Sequence, residues 1–92
     1  MLDTLTADDF RPLQGDRFRV APDSADAFEV ELVEVTEIPR EPGGRAPFSL
    51  VFEGPETPFA PQGTYKLEHA ELGAFELFLV PIGPGRYEAV FT

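Results

Sequence analysis

Residues 64–91 read TYKLEHAELGAFELFLVPIGPGRYEAVF, and this stretch decides the fold. Three apolar-patterned runs are separated by two short turns, Ala70-Glu71-Leu72-Gly73 and Ile82-Gly83-Pro84-Gly85. Side chains of an extended chain alternate between faces, so period-two patterning broken by Gly and Pro predicts antiparallel strands joined by tight turns. On the first run Tyr65 and Leu67 share the inner face. On the second, Phe75, Leu77 and Leu79 lie opposite Glu76, Phe78 and Val80. On the third, Tyr87, Ala89 and Phe91 lie opposite Glu88 and Val90. Gly73 suits the left-handed position that ends a hairpin loop, and Pro84-Gly85 suits the two central positions of a type II turn. Pro81 has no N–H to give to a ladder, so it should mark a strand end or a bulge.

Working outward, Phe48 to Glu53 (FSLVFE) is a strand with Phe48, Leu50 and Phe52 on one face. Asp26 to Ile38 (DAFEVELVEVTEI) is the longest strand. Its apolar phase slips by one residue at Leu32–Val33, the mark of a β-bulge or sharp bend. Asp16 to Val20 (DRFRV) sets Phe18 and Val20 against Arg17 and Arg19. Before it, Thr6-Ala7-Asp8-Asp9 has the form of a capping box with Asp in place of Glu, and Pro12 and Gly15 stop the helix within one or two turns. Leu5, Phe10 and Leu13 of that helix are expected to dock on the sheet. The connections Pro39–Pro47 and Gly54–Gly63 are rich in Pro and Gly, and Phe59 is expected to pin the second to the body. The prediction is an all-β domain: a small antiparallel barrel or sandwich of about six strands, with a short N-terminal helix and a C-terminal three-strand meander.

Ninety-two residues make one domain, residues 1–92. Nine Phe and two Tyr supply core material, since a large aromatic side chain buries about 150–250 Å². The absence of Cys removes disulfide frameworks and thiolate metal sites. Seventeen acids against seven bases give a net charge of −10 with no basic cluster, which disfavours nucleic acid and anionic lipid and leaves solubility or a basic protein partner as readings. No apolar run reaches the roughly 20 residues of a membrane span, and MLDTLTADDF lacks the features of a cleavable signal. The expectation is cytoplasmic synthesis, with later incorporation into an extracellular or virion-like assembly left open.

Chemical motifs are sparse. His69 is the single histidine. Glu68 and Glu71 beside it could assist a metal-dependent hydrolase, but an exposed or edge-packed histidine at a hairpin is the simpler expectation. Asp23, Asp26, Glu29 and Glu31 lack the spacing of a calcium loop and read as a solvated strand face. Ser24 and Ser49 have no nucleophile motif around them. Gly43-Gly44 matches no phosphate-binding pattern. Pro55, Pro58 and Pro61 recur every third residue, without the flanking cations usual in polyproline ligands. No enzyme, no cofactor and no metal is expected.

One feature stands above this background. Val51, Phe78, Val80 and Val90 are apolar on faces that should point outward. A strand that is apolar on both sides must be covered. The cover is either this chain, through Leu5, Phe10 or Phe59, or another protein. The leading expectation is therefore a non-enzymatic assembly or interaction module, binding a protein partner or itself through these residues and through strand edges. The alternative is a small barrel binding an apolar or sugar-like ligand with Phe52, Tyr65 and Tyr87 as ligand-facing aromatics.

The segments Gly63 to Gly73 (GTYKLEHAELG), Glu76 to Pro81 (ELFLVP) and Tyr87 to Phe91 (YEAVF) resemble a family of short uncharacterised bacterial β-rich proteins. Gly15–Phe18 and Phe48–Gly54 resemble it more weakly. The shared motifs are structural. The resemblance implies an association with phage-tail-like collar or fibre proteins, brings no activity with it, and gives His69 the role of a turn-fixing hydrogen-bond partner.

Overall fold

The computed structural model describes residues 6–22, 27–37, 47–56 and 61–91. Leu5, Asp23, Ser24, Asp26, Gly43, Gly44, Pro58 and Phe59, on which several expectations fall, lie outside the described residues. The elements are helix α1 (Ala7–Phe10), a 3-10 turn (Arg11–Leu13), and strands β1 (Arg17–Ala21), β2 (Phe28–Glu37), β3 (Phe48–Glu53), β4 (Gly63–His69), β5 (Gly73–Gly83) and β6 (Arg86–Phe91).

The strands form a closed antiparallel barrel in the order β1-β2-β3-β6-β5-β4. Periodicity alone leaves barrel and sandwich equally open; the β1–β4 ladder decides for the barrel, with Arg19 opposite Glu68, Val20 opposite Leu67 and Ala21 opposite Lys66. Two three-strand meanders, β1-β2-β3 and β4-β5-β6, are thus joined along β3–β6 and β1–β4. Each strand has two neighbours in the closed order, though the β1–β4 and β5–β6 ladders are short.

Inner rows fill the barrel. Phe18, Val20, Phe28, Val30, Leu32, Phe48, Leu50, Phe52, Leu67, Phe75, Leu77, Leu79, Tyr87 and Ala89 form one buried cluster. Within it Phe18 is edge-on to Phe52 at 5.3 Å and to Phe75 at 6.3 Å between ring centroids. Burying a side chain of this size contributes about 1.5–3 kcal/mol, so a few rings dominate the stability of so small a chain.

The β2–β3 register slips between Leu32 and Glu34, leaving Val33 as the extra residue where the phase change predicts a bulge. The bulge is held by the N-terminal segment. The Gln14 amide donates to the Val33 carbonyl at 3.0 Å, and Gly15 N–H donates to the Leu32 carbonyl at 2.7 Å. Strand β5 runs through Pro81, and its register with β6 slips between Pro81 and Gly83. Gly73 and Gly85 both take the left-handed backbone expected of them, with φ of 79° and 70°.

Helix α1 is a single turn, with the Asp9 carboxylate accepting the Thr6 backbone N–H at 2.7 Å. It presents Phe10 to one end of the barrel, against Phe48 at 5.8 Å and Phe91 at 5.6 Å, while Leu13 is buried beside it. The helix is a plug for the barrel mouth and packs beside β2.

Candidate interaction face

Phe52 and Tyr87 are fully buried, Phe52 against Phe18 and Tyr87 with its ring 6.3 Å from Phe28. Alternation sends both inward, where they pack in the barrel core. Tyr65 is half-buried, and its hydroxyl donates to the Pro61 carbonyl. Burial first, and the neighbouring Tyr87 second, raise its pKa above the ordinary 10.0.

Of the two expectations for His69, exposed or edge-packed, the structure has it packed, its side chain only 4% accessible. Its ring packs on Phe18 at 4.6 Å between centroids. Nδ1 accepts the backbone N–H groups of Glu71 at 3.0 Å and Leu72 at 3.3 Å. An Nδ1 that accepts carries no proton, so Nε2 holds it and donates to the Asp16 carboxylate at 3.0 Å. The ring therefore orders the β4–β5 turn and clasps it to the start of β1. Both nitrogens are engaged by the protein's own groups. Sequence reasoning missed Asp16, 53 residues away in the chain, because no local pattern links the two.

Outside the barrel, the four residues expected to form an apolar surface divide. Val51 is 7% exposed, so it belongs to the wall rather than to the surface. It stands across the ladder between Glu34 and Glu88, whose long stems flank it. Val80 is half-buried, opposite Glu88. Phe78 and Val90 are open, 51% and 53% exposed. Ile82, 48% exposed, joins them; its neighbours Gly83, Pro84 and Gly85 suggest a turn, but β5 continues through Gly83, so the alternation of Phe78 and Val80 carries on to it. Phe78, Val80 and Ile82 thus follow one another along the outer row of β5, with Val90 on adjacent β6. Phe10 does not cover them, being seated in the barrel mouth beside β2, which lies across the barrel from β5.

The charged groups are arranged around this row. Arg17 pairs with Glu29 at 3.8 Å, Arg19 with Glu68 at 3.7 Å, Arg86 with Glu53 at 3.4 Å and Arg11 with Glu37 at 3.5 Å. Each such exposed pair contributes roughly 0–1 kcal/mol. Their larger consequence is that the described arginines are neutralised on the surface. Glu31, Glu34, Glu76 and Glu88 form no ion pair among the described residues.

No helix among the described residues is long and apolar enough to cross a membrane. No curated protein and no solved structure matches the chain. A family model described as "Domain of unknown function (DUF6916)" matches residues 5–91, nearly the whole length, with a match that takes in all six strands and the histidine clasp. The chain belongs to that family.

Proposed function

We propose that this chain is a non-enzymatic protein-interaction module of a multi-subunit assembly, docking through the outer face of β5 and β6. The observation that carries the reading is the exposure of Phe78, Ile82 and Val90 together on adjacent strands of a barrel whose core is complete without them. Leaving large apolar side chains in water brings the fold nothing, and their clustering is the pattern of a surface that is covered in use. The engagement of both His69 nitrogens by the clasp also favours a structural role over catalysis. A bacterial phage-tail-like collar or fibre assembly is one setting that such a module suits.

The test is Phe78→Glu in the full chain. Light scattering and co-purification should show the wild-type protein in a complex and the variant released from it, with the circular dichroism and melting transition of both alike. A strictly monomeric wild-type protein across a wide concentration range, with no co-purifying partner, would overturn the reading. So would global unfolding of Phe78→Glu.

A further inference from the structure

We propose, resting on the interaction reading above, that the occupant of the β5–β6 face is a protein segment in which apolar side chains alternate with Lys or Arg, and not a second copy of this chain. Carboxylates are threaded through the apolar face. Glu76 precedes Phe78 on the outer row of β5, and Glu88 precedes Val90 on that of β6. Glu88 also stands directly across the ladder from Val80, between it and Val51. Glu88 is half-buried and has no ion-pair partner among the described residues. Lys66 lies across the ladder from Glu76, yet the two form no ion pair within 4.0 Å. Covering this face with apolar side chains alone would desolvate both carboxylates without compensation, which is costly.

A second copy is a poor source of the missing cations: among the described Lys and Arg residues only Lys66 stands outside an ion pair. An isologous contact would set this acidic patch against itself, each copy bringing one Lys66 to the partner's Glu76 and Glu88. A head-to-tail contact would meet the rest of the barrel wall, where Arg17, Arg19 and Arg86 already face carboxylates and the outer row of β2 is Glu29, Glu31 and Glu34. The whole chain carries −10, so any approach of two copies is opposed at long range. A cationic and apolar segment satisfies both features: its apolar side chains cover Phe78, Ile82 and Val90, and its cations pair with Glu76 and Glu88. Charge placed this way sets partner choice and association rate.

The test uses a synthetic peptide of alternating Leu and Lys as probe, with a Leu–Glu peptide of the same length as control. Both are titrated into the full chain by fluorescence anisotropy at low and at physiological salt. The Leu–Lys peptide is expected to bind, more weakly at the higher salt, and the control not to bind. Phe78→Ser and the double variant Glu76→Lys/Glu88→Lys should each weaken binding tenfold or more. Glu31→Lys/Glu34→Lys changes the net charge equally on the opposite wall and should leave binding within twofold. Equal losses from the two double variants would mean general acidity only and overturn the proposal. Failure of the Leu–Lys peptide to bind would overturn it as well. If a complex disrupted by Phe78→Ser is indifferent to both charge variants, the interaction face stands and its cationic occupant falls. If that complex proves to be a homo-oligomer, the second copy is the occupant and the proposal fails. If Phe78→Ser disrupts neither complex nor peptide binding, both readings fail. Should Phe78→Ser melt early, Val90→Ser replaces it.

Discussion

Strands β2 and β5 lie opposite each other across the barrel, and their inner rows are alike. Val30 and Leu32 on one side and Leu77 and Leu79 on the other sink into the same core. Both strands carry a register slip, after Leu32 and after Pro81. Their outer rows have nothing in common. Outside β2 stand Glu29, Glu31, Glu34 and Thr36; outside β5 stand Phe78, Val80 and Ile82, with Glu76 before them. Inner rows obey the shared demand of one core. Outer rows are free of that demand, and here one is acidic and the other largely apolar. The slips also differ in setting: that of β2 is fastened by Gln14 and Gly15, whereas that of β5 falls beside Pro81, which has no N–H to give to the ladder.

The comparison can be broken most forcefully from inside. Leu32→Ala and Leu79→Ala should each cost about 2–5 kcal/mol, a large part of a small domain's stability, in urea unfolding. A cost for Leu79→Ala far below that for Leu32→Ala would mean that the inner rows are not equivalent. Next in size is the clasp. His69→Leu keeps the contact with Phe18 but strands the Glu71 and Leu72 N–H groups, at about 1–3 kcal/mol, and those two amides should exchange with solvent faster than their neighbours. Outside, Phe78→Ser and Glu31→Ser should each leave stability within about 0.5 kcal/mol, so that the two faces differ in association and not in folding. The smallest effect is in alkali. The folded state holds the Tyr65 proton more tightly than the unfolded chain does, so its contribution is complete below pH 10.0 and is lost as pH rises through the higher folded value. An absorbance titration of the tyrosines should show a component above the ordinary range that Tyr65→Phe removes.

Much of this architecture is legible in the sequence because alternation and turn chemistry are local. The phase change at Leu32–Val33 and the glycines at Gly73 and Gly85 each declare a backbone geometry within a few residues. Closure is not local. That Val20 meets Leu67 depends on the path of the whole chain, so barrel and sandwich are indistinguishable by period alone. The face of β5 and β6 is legible at Phe78 and Val90, whose apolar character contradicts their position, but not at Ile82, because the glycines and proline around it read as a turn while the strand runs on through Gly83. Val51 shows the opposite limit: its outward position is readable, while its cover comes from cross-strand neighbours on β2 and β6. Gly54 hides a similar constraint. A Cβ there would lie 2.7 Å from Val30 Cγ1 and 2.9 Å from the Glu29 carbonyl, and one on Gly85 would collide with the Gly54 carbonyl, so the end of β3 and the β5–β6 turn tolerate only glycine at these positions.

The β1–β4 seam also bears on the order in which the molecule forms. Each meander is built from neighbours in the chain, but the seam joins residues 19–21 to residues 66–68. The loop-closure entropy of a contact so distant must be met before its contacts repay it, which slows folding. The two meanders are accordingly the natural early units, and the seam is the late event. Asp16 and His69 lie at one end of that seam, so their hydrogen bond acts as the fastener of a finished barrel. Its removal should speed unfolding far more than it slows folding.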